Sequence, residues 1–303
     1  MGKMEAYYEF AVETGCKALR NEPMAKYTSF KIGGPAEVFL APDSPQQLVL
    51  LVQEAKKLGV PVTVFGNGSN LLVADEGIRG AVIHMDQGFQ WLRMVSETEI
   101  ECAAGVPLKR LCLFALEHSL TGLEFAYGIP GSAGGAAFMN AGAYGGEMKE
   151  VLTACTHIAP DGTLGRLEGN ALELSYRHSA YNDSGCIITA LFLKLQKGNP
   201  EEIAQKHKEL MGRRREKQPL EYPSAGSVFK RPEGYFAGTL IEQCGLKGRA
   251  VGGAQVSQKH AGFIINTGGA TCADVLSLIA LIQEEVFRKT GVRLELEIRR
   301  IGG

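Results

Sequence analysis

The chain has 303 residues, with 32 Lys and Arg against 33 Asp and Glu, a formal net charge of −1, and 38 glycines. That length allows two or three domains with sizeable cores. The charge balance excludes the basic footprint of a nucleic-acid binder, and no apolar run approaches the ~20 residues that span a membrane. The seven cysteines are odd in number and lack CxxC spacing, and the six histidines form no HxxxH or HExxH pair, so neither a disulfide framework nor a metal site is expected. Residues 1–20 are mixed and charged, unlike a signal peptide. A cytoplasmic, monomeric protein with no membrane partner is the expectation.

In chain order, residues 4–20 predict a helix and residues 36–41 a short apolar strand. Ser44 caps a second helix, Pro45 suits its first turn, Leu48, Leu51, Val52, Ala55 and Leu58 form its apolar stripe, and Gly59 ends it. Residues 60–65 read as a buried strand that runs straight into Gly66-Asn67-Gly68-Ser69-Asn70-Leu71-Leu72. This glycine-rich turn suits a phosphate group, yet it lacks GK[ST], and Leu71 stands where a dinucleotide fingerprint has its third glycine. By itself it is as well explained as an ordinary tight turn. Residues 81–85 are a strand, 91–95 and 99–103 a hairpin, and Leu108, Leu111, Cys112 and Ala115 mark a helix.

The stretch from Gly128 to Glu147 is the compositional centre of the chain, since seven of its twenty residues are glycine and five are alanine. Glycine is costly to order, so such a run makes sense where backbone must approach a bulky, electron-rich ligand. Ile129, Phe138, Met139 and Tyr144 argue against a flexible linker, which would be polar. Strands follow at 151–158 and 186–195, with Asp161-Gly162 as a turn between them. Asn199-Pro200 reads as the domain boundary and starts a helix bearing Ile203, His207, Leu210, Met211 and Arg214 on one face. Beyond it lie a Gly226-Ser227 turn, a short helix over 237–244, a strand over 262–266, a long helix over 271–290 and a strand over 292–301. Strands and helices are mixed rather than alternating, so the fold class is α+β.

These pieces together resemble the UDP-N-acetylenolpyruvoylglucosamine reductase (MurB) family. The resemblance rests on Thr28-Ser29-Phe30-Lys31-Ile32-Gly33-Gly34, the loop 66–72, Gly128-Ile129-Pro130-Gly131-Ser132-Ala133-Gly134-Gly135, Tyr176-Arg177, Gly226-Ser227-Val228-Phe229-Lys230, Leu246-Lys247-Gly248 and Leu294-Glu295-Leu296-Glu297, which run in order from about residue 23 to the end. It implies non-covalent FAD on a two-part module of the vanillyl-alcohol-oxidase type and a C-terminal α+β substrate domain. The divisions expected are 1–85 (joined by the C-terminal strand), 86–198 and 199–303. The short run between Arg177 and Asn199 matches the type without an extra tyrosine-bearing insertion. The implied reaction uses NADPH to reduce FAD, which then passes hydride to the enolpyruvyl ether of UDP-N-acetylglucosamine enolpyruvate. The implied product is UDP-N-acetylmuramate, a peptidoglycan precursor.

The resemblance implies Arg177, Ser227 and Glu297 as catalytic residues. From the residues alone, Arg177 reads as a surface arginine, Ser227 as turn chemistry, and strand alternation does not choose between Glu295 and Glu297; the family match selects Glu297. Implied cofactor contacts are Gly66, Asn67, Gly68, Ser69, Asn70, Leu71, Gly128, Gly131, Ser132, Gly134, Gly135, Asn140 and Gly142. Implied substrate contacts are Tyr176, Arg214, Lys217, Lys230 and Gln243, the cations facing the diphosphate. Another flavoprotein of the same fold would account for both glycine-rich loops, but not for Arg177, Ser227 and Glu297 together.

Overall fold

Helix boundaries follow local chemistry along the chain. The structure is a computed structural model that describes residues 2–303, with the backbone alone of Gln87. Helix α1 (Lys3–Glu13) stops at Thr14, and Gly15 turns left-handed at φ +77°. The chain leaves it as a strand, Lys17–Pro23, so the helix expected over 4–20 ends seven residues early, at Glu13. Left-handed glycine is the reason: it closes a helix and redirects the backbone. Helix α2 (Pro45–Leu58) is as expected, with Ser44 Oγ accepting the Gln47 N–H at 3.3 Å and Gly59 at φ +64°. Helix α3 (Leu108–Glu117) likewise buries Leu108, Leu111, Cys112 and Ala115. Helix α4 (Ala133–Phe138) lies inside the glycine-rich stretch and was not foreseen there. Helices α5 (Pro200–Lys217), α6 (Ala237–Gln243) and α7 (Cys272–Thr290) follow.

The chain divides into two compact units. The first comprises the chain up to Arg20, Val38–Asn67 and Gly80–Arg213. Most of a four-stranded sheet belongs to it, in the order Lys17–Pro23, Pro35–Ala41, Ile78–His84, Val62–Phe65, the last two parallel. It also holds a five-stranded antiparallel sheet ordered Leu164–Glu168, Leu152–Ile158, Ile187–Lys194, Glu99–Ala103, Leu92–Ser96. The strand Leu164–Glu168 is a correction. Asp161-Gly162 turns the chain into this edge strand, not directly into the next one, and its half-exposed, polar pattern hid it from periodicity. Tyr7, Leu48, Leu51, Ile83, Ile100 and Leu191 are among the buried residues of this unit's core.

The second unit comprises Asn21–Glu37, Gly68–Arg79 and Arg214–Gly303. Its four-stranded antiparallel sheet runs Ser224–Ser227, Phe263–Asn266, Ala254–Val256, Ala250–Val251. Helix α7 buries Val275, Leu278, Ile279, Ile282 and Val286 in this unit's core. Its N-terminus is closed by a capping box between Thr271 and Asp274. Asp75 adds to this, its carboxylate accepting the Cys272 and Ala273 N–H groups at 2.7 and 2.9 Å. The closing strand is shorter than the expected 292–301. Arg299–Ile301 pairs in parallel with Leu71–Val73, while residues before it touch the chain near Phe229 through an isolated bridge.

Candidate functional site

Two glycine-bearing loops meet in the first unit. The strand Val62–Phe65 ends at Gly66, and Asn67 Nδ2 donates to the Pro130 carbonyl at 3.3 Å. A Cβ on Gly66 would lie 2.1 Å from Ser132 Oγ, so only glycine permits this approach. Ser132 is buried, and its Oγ accepts the Gly135 N–H at 3.3 Å, which caps α4. The loop is tied to the segment before α3: Ala133 and Gly134 N–H donate to Val106 and Ala104 carbonyls at 2.8 Å, and Leu108 N–H donates to Gly131 at 3.0 Å. Gly128 and Gly131 are half-buried, and Gly135 is exposed. The result is a stretch of bare backbone with no side chain above Gly135, where an added Cβ would meet only Ser132 Oγ, at 3.3 Å. This surface fits a cofactor met by main chain. His84, which sequence reasoning passed over as an isolated histidine, stacks on Phe65 at 4.7 Å and hydrogen-bonds the Gly66 backbone. Burial holds its imidazole below the usual pKa, so it is neutral there at physiological pH.

Two of the expected cofactor contacts, Gly142 and Asn140, also have structural tasks. Gly142 and Ala143 form a two-residue hairpin with Gly146 and Glu147 around Tyr144 (φ +55°) and Gly145 (φ +92°). Positive φ at both turn residues matches the strand twist of a tight hairpin. A Cβ on Gly142 would lie 2.7 Å from the Gly146 carbonyl, so hairpin closeness accounts for that glycine. Asn140 is 0 % exposed, and its amide donates to Glu147 Oε2 at 3.0 Å and to the Ser175 carbonyl at 2.9 Å. Its Oδ1 accepts the Lys149 N–H at 2.8 Å. Both amide hydrogens of this wholly buried side chain are thus engaged within the protein, and one lone pair of its Oδ1 accepts a backbone N–H.

Tyr176 and Arg177 form the tip of a turn closed by Ser175 and His178, each donating its N–H to the other's carbonyl at 3.2 and 3.1 Å. Tyr176 is half-exposed, and the Arg177 guanidinium lies 5.1 Å from the centre of its ring. Arg177 has φ +56°, a left-handed conformation uncommon for a long side chain.

In the second unit, Ser227 and Glu297 lie on neighbouring segments. Glu297 N–H donates to the Val228 carbonyl at 2.8 Å, Lys230 N–H donates to the Glu295 carbonyl at 2.9 Å, and Phe229 bridges Leu296. This pairing sets residue 297 opposite residue 228, next to Ser227. Gly226 at φ +78° and a register irregularity between Ser224 and Ser227 turn the chain there. The two glutamates also separate. Glu295 is exposed and ion-paired with Lys230 at 3.3 Å, whereas Glu297 is half-buried and its carbonyl accepts from Asn70 Nδ2 at 3.1 Å. Gly68 has φ +57°, and a Cβ there would lie 2.3 Å from the Tyr27 carbonyl, so backbone crowding suffices to explain it. Ser69 and Leu71 are half-buried beside it. Arg214 is buried, with Nη1 donating to Gln218 Oε1 at 3.3 Å, while Lys217 and Gln243 are exposed. Among the described residues, no group of His, Cys, Asp and Glu could hold a metal ion, and no helix is long and apolar enough to cross a membrane.

Comparison with known proteins identifies the family. Residues 218–301 match the family model described as UDP-N-acetylenolpyruvoylglucosamine reductase, C-terminal domain, and residues 36–168 match an FAD binding domain. A UDP-N-acetylenolpyruvoylglucosamine reductase of Agathobacter rectalis is 49% identical over 295 residues, 94% of each chain. One from Latilactobacillus sakei is 50% identical over 285 residues, 93% of this chain and 92% of its own. The crystal structure of UDP-N-acetylenolpyruvylglucosamine reductase (MurB) from Thermus caldophilus is 36% identical. It superposes with a TM-score of 0.81 over 94% of this chain and 98% of that one.

Proposed function

The chain belongs to the UDP-N-acetylenolpyruvoylglucosamine reductase family, and on that premise we propose that it reduces UDP-N-acetylglucosamine enolpyruvate to UDP-N-acetylmuramate with NADPH and bound FAD. It acts as a cytoplasmic monomer in peptidoglycan precursor synthesis, and so serves cell shape and division. Its parts are an FAD-binding module in two pieces, 1–85 and 86–198, and a substrate domain, 199–303. The observation that carries the reading is the pairing that sets Glu297 beside Ser227, two chemically apt side chains on hydrogen-bonded neighbouring segments.

FAD, when bound, supplies the hydride for the enolpyruvyl double bond. Gly66, Asn67, Gly68, Ser69, Asn70 and Leu71, with Gly128, Gly131, Ser132, Gly134 and Gly135, hold it through main chain and short side chains. As the double bond is reduced, negative charge builds on the adjoining carboxylate. Arg177, permanently cationic, grips that carboxylate in a bidentate fork, with Tyr176 beside it. Glu297 in its protonated form donates a hydrogen bond to the developing charge. Ser227 Oγ–H delivers the proton to the carbon next to the one that receives hydride. Lys230 exchanges its exposed partner Glu295 for the substrate diphosphate, joined by Arg214 and Lys217, and Gln243 completes the substrate contacts. The purified protein should be yellow, release FAD on denaturation, and consume NADPH beyond the one equivalent that reduces its flavin only when the enolpyruvyl substrate is present, with the reduced product identified by mass. A colourless protein that cannot be reconstituted with FAD, or one without turnover, overturns the reading.

A further inference from the structure

We propose that Asn140 is a positioning residue for Arg177, acting through the turn 175–178; this rests on the reading above that Arg177 grips the substrate carboxylate. The turn is closed by two backbone hydrogen bonds between Ser175 and His178, yet it carries strain. Arg177 is its third residue and has φ +56°, where glycine is favoured and a side chain is strained. Such a conformation persists only when the surroundings over-determine it, and here two anchors reach the turn from the end of α4.

The first anchor is Asn140, whose amide donates to the Ser175 carbonyl at 2.9 Å, the same oxygen that closes the turn with His178 N–H at 3.1 Å. The second is Ser179, 0 % exposed, whose hydroxyl donates to the Phe138 carbonyl at 2.6 Å. Residues 175 and 179 are thus tied on either side of Tyr176-Arg177 to residues 140 and 138.

The choice of asparagine at 140 supports the assignment. Asn140 N–H donates to Ala137 at 3.2 Å and Ala141 N–H to Ala136 at 2.8 Å, with Asn140 at φ +42°. That is the double-bonded helix ending in which the left-handed residue is usually glycine. Asparagine fills the backbone role less readily than glycine, and it adds the amide that glycine lacks. Both of its N–H groups are used, one on Ser175 and one on Glu147, so the side chain, and not the backbone, explains the residue.

The test uses the holoenzyme and the variants Asn140→Gly, Asn140→Asp, Arg177→Ala and Asn140→Gly/Arg177→Ala. Asn140→Gly keeps the helix ending but deletes three buried hydrogen bonds, so the thermal midpoint should fall while the variant still folds and holds FAD. kcat/KM for the enolpyruvyl substrate should fall by about 10- to 100-fold, the loss expected when a substrate-positioning group shifts by about 1 Å. Amide hydrogen exchange at Ser175 and His178 should quicken, with or without FAD bound. Asn140→Asp, which loses a donor and faces Glu147, should change both readouts in the same direction. In the Arg177→Ala background, Asn140→Gly should remove nothing more. If Arg177→Ala is itself silent, the carboxylate-grip reading fails, and the positioning role with it. If Arg177→Ala is damaging but Asn140→Gly leaves turnover and exchange unchanged, only the positioning role is overturned. Equal losses in both backgrounds also overturn it, because Asn140 then acts without Arg177.

Discussion

Gly134 and Gly135 are adjacent in α4 and make opposite demands, which allows the cofactor cradle to be tested apart from the fold. A Cβ on Gly134 would sit 2.7 Å from Ala104 Cβ and 3.1 Å from the Ala104 carbonyl, the same carbonyl that accepts the Gly134 N–H at 2.8 Å. Neither neighbour can swing away, so Gly134→Ala must push the helix from the strand end. Overpacking of this kind costs ~1–3 kcal/mol. Better helix propensity returns about 1 kcal/mol, leaving a net loss of up to about 2 kcal/mol. Gly135 is exposed and would meet only Ser132 Oγ, at 3.3 Å, so Gly135→Ala should be neutral or stabilise by up to about 1 kcal/mol. Gly135→Val should likewise fold, with β-branching removing part of that gain. Its side chain, however, fills the space above the bare backbone. FAD should therefore bind at least about tenfold more weakly, a difference of ~1.4 kcal/mol. Urea midpoints of the apoproteins read the first quantity, and titration with FAD followed by flavin fluorescence reads the second. A Gly135→Val protein with native stability and native FAD affinity would refute the cradle. A Gly134→Ala protein more stable than the parent would show that the crowding derived from Ala104 is wrong.

Asp75→Ala should lower the urea stability by ~1–2 kcal/mol, since an exposed carboxylate that caps two N–H groups of α7 is removed; a change below about 0.5 kcal/mol contradicts that role. Gly68→Val should destabilise the protein by at least about 1 kcal/mol even without FAD, because of φ +57° and the Tyr27 carbonyl at 2.3 Å. An undisturbed apoprotein would move the reason for that glycine to the ligand. His207 is stacked on Tyr127 at 4.2 Å, its buried Nδ1 has no hydrogen-bond partner, and burial lowers its pKa below 6.5. The unfolded chain then binds the proton first, so this group's contribution is complete above about pH 6.5 and declines as pH falls towards the folded-state pKa. His207→Phe keeps the stack and should flatten the loss of stability between about pH 6.5 and 5. An unchanged slope would show that the imidazole is not the group responsible. His84, His157 and His260 have pKa values lowered by burial too, so part of the slope should remain.

Elements with local punctuation were legible in the sequence. Ser44, Pro45 and Gly59 bounded α2, and Asn199-Pro200 marked the start of α5, because caps and left-handed glycines act within a few residues. The hidden elements carry no such signal. Helix α4 has the sequence AGGAAF, whose small side chains give no apolar stripe for periodicity to find. The strand Leu164–Glu168 is an edge, and Lys17–Pro23 is half-exposed and continues a helical-looking segment. Of the site, the glycine-rich loops and the order of motifs were readable, and so was the family. The tasks of individual residues were not. Gly68 and Gly142 meet backbone far more closely than sequence can reveal, and Asn140 reaches Ser175, 35 residues away.

Rapid mixing of the Ser227→Ala holoenzyme, following flavin absorbance, tests the proposed chemistry most directly. Ser227 is assigned to proton delivery on the enolpyruvyl group, which takes no part in oxidation of NADPH. Bleaching by NADPH should therefore proceed at a near-parental rate, and FAD should remain bound. Return of the absorbance on adding UDP-N-acetylglucosamine enolpyruvate should slow by ~10²–10⁴, the contribution of a positioned acid. Equal slowing of both phases would mean that Ser227 shapes the flavin site, and an unchanged second phase would remove it from the reaction.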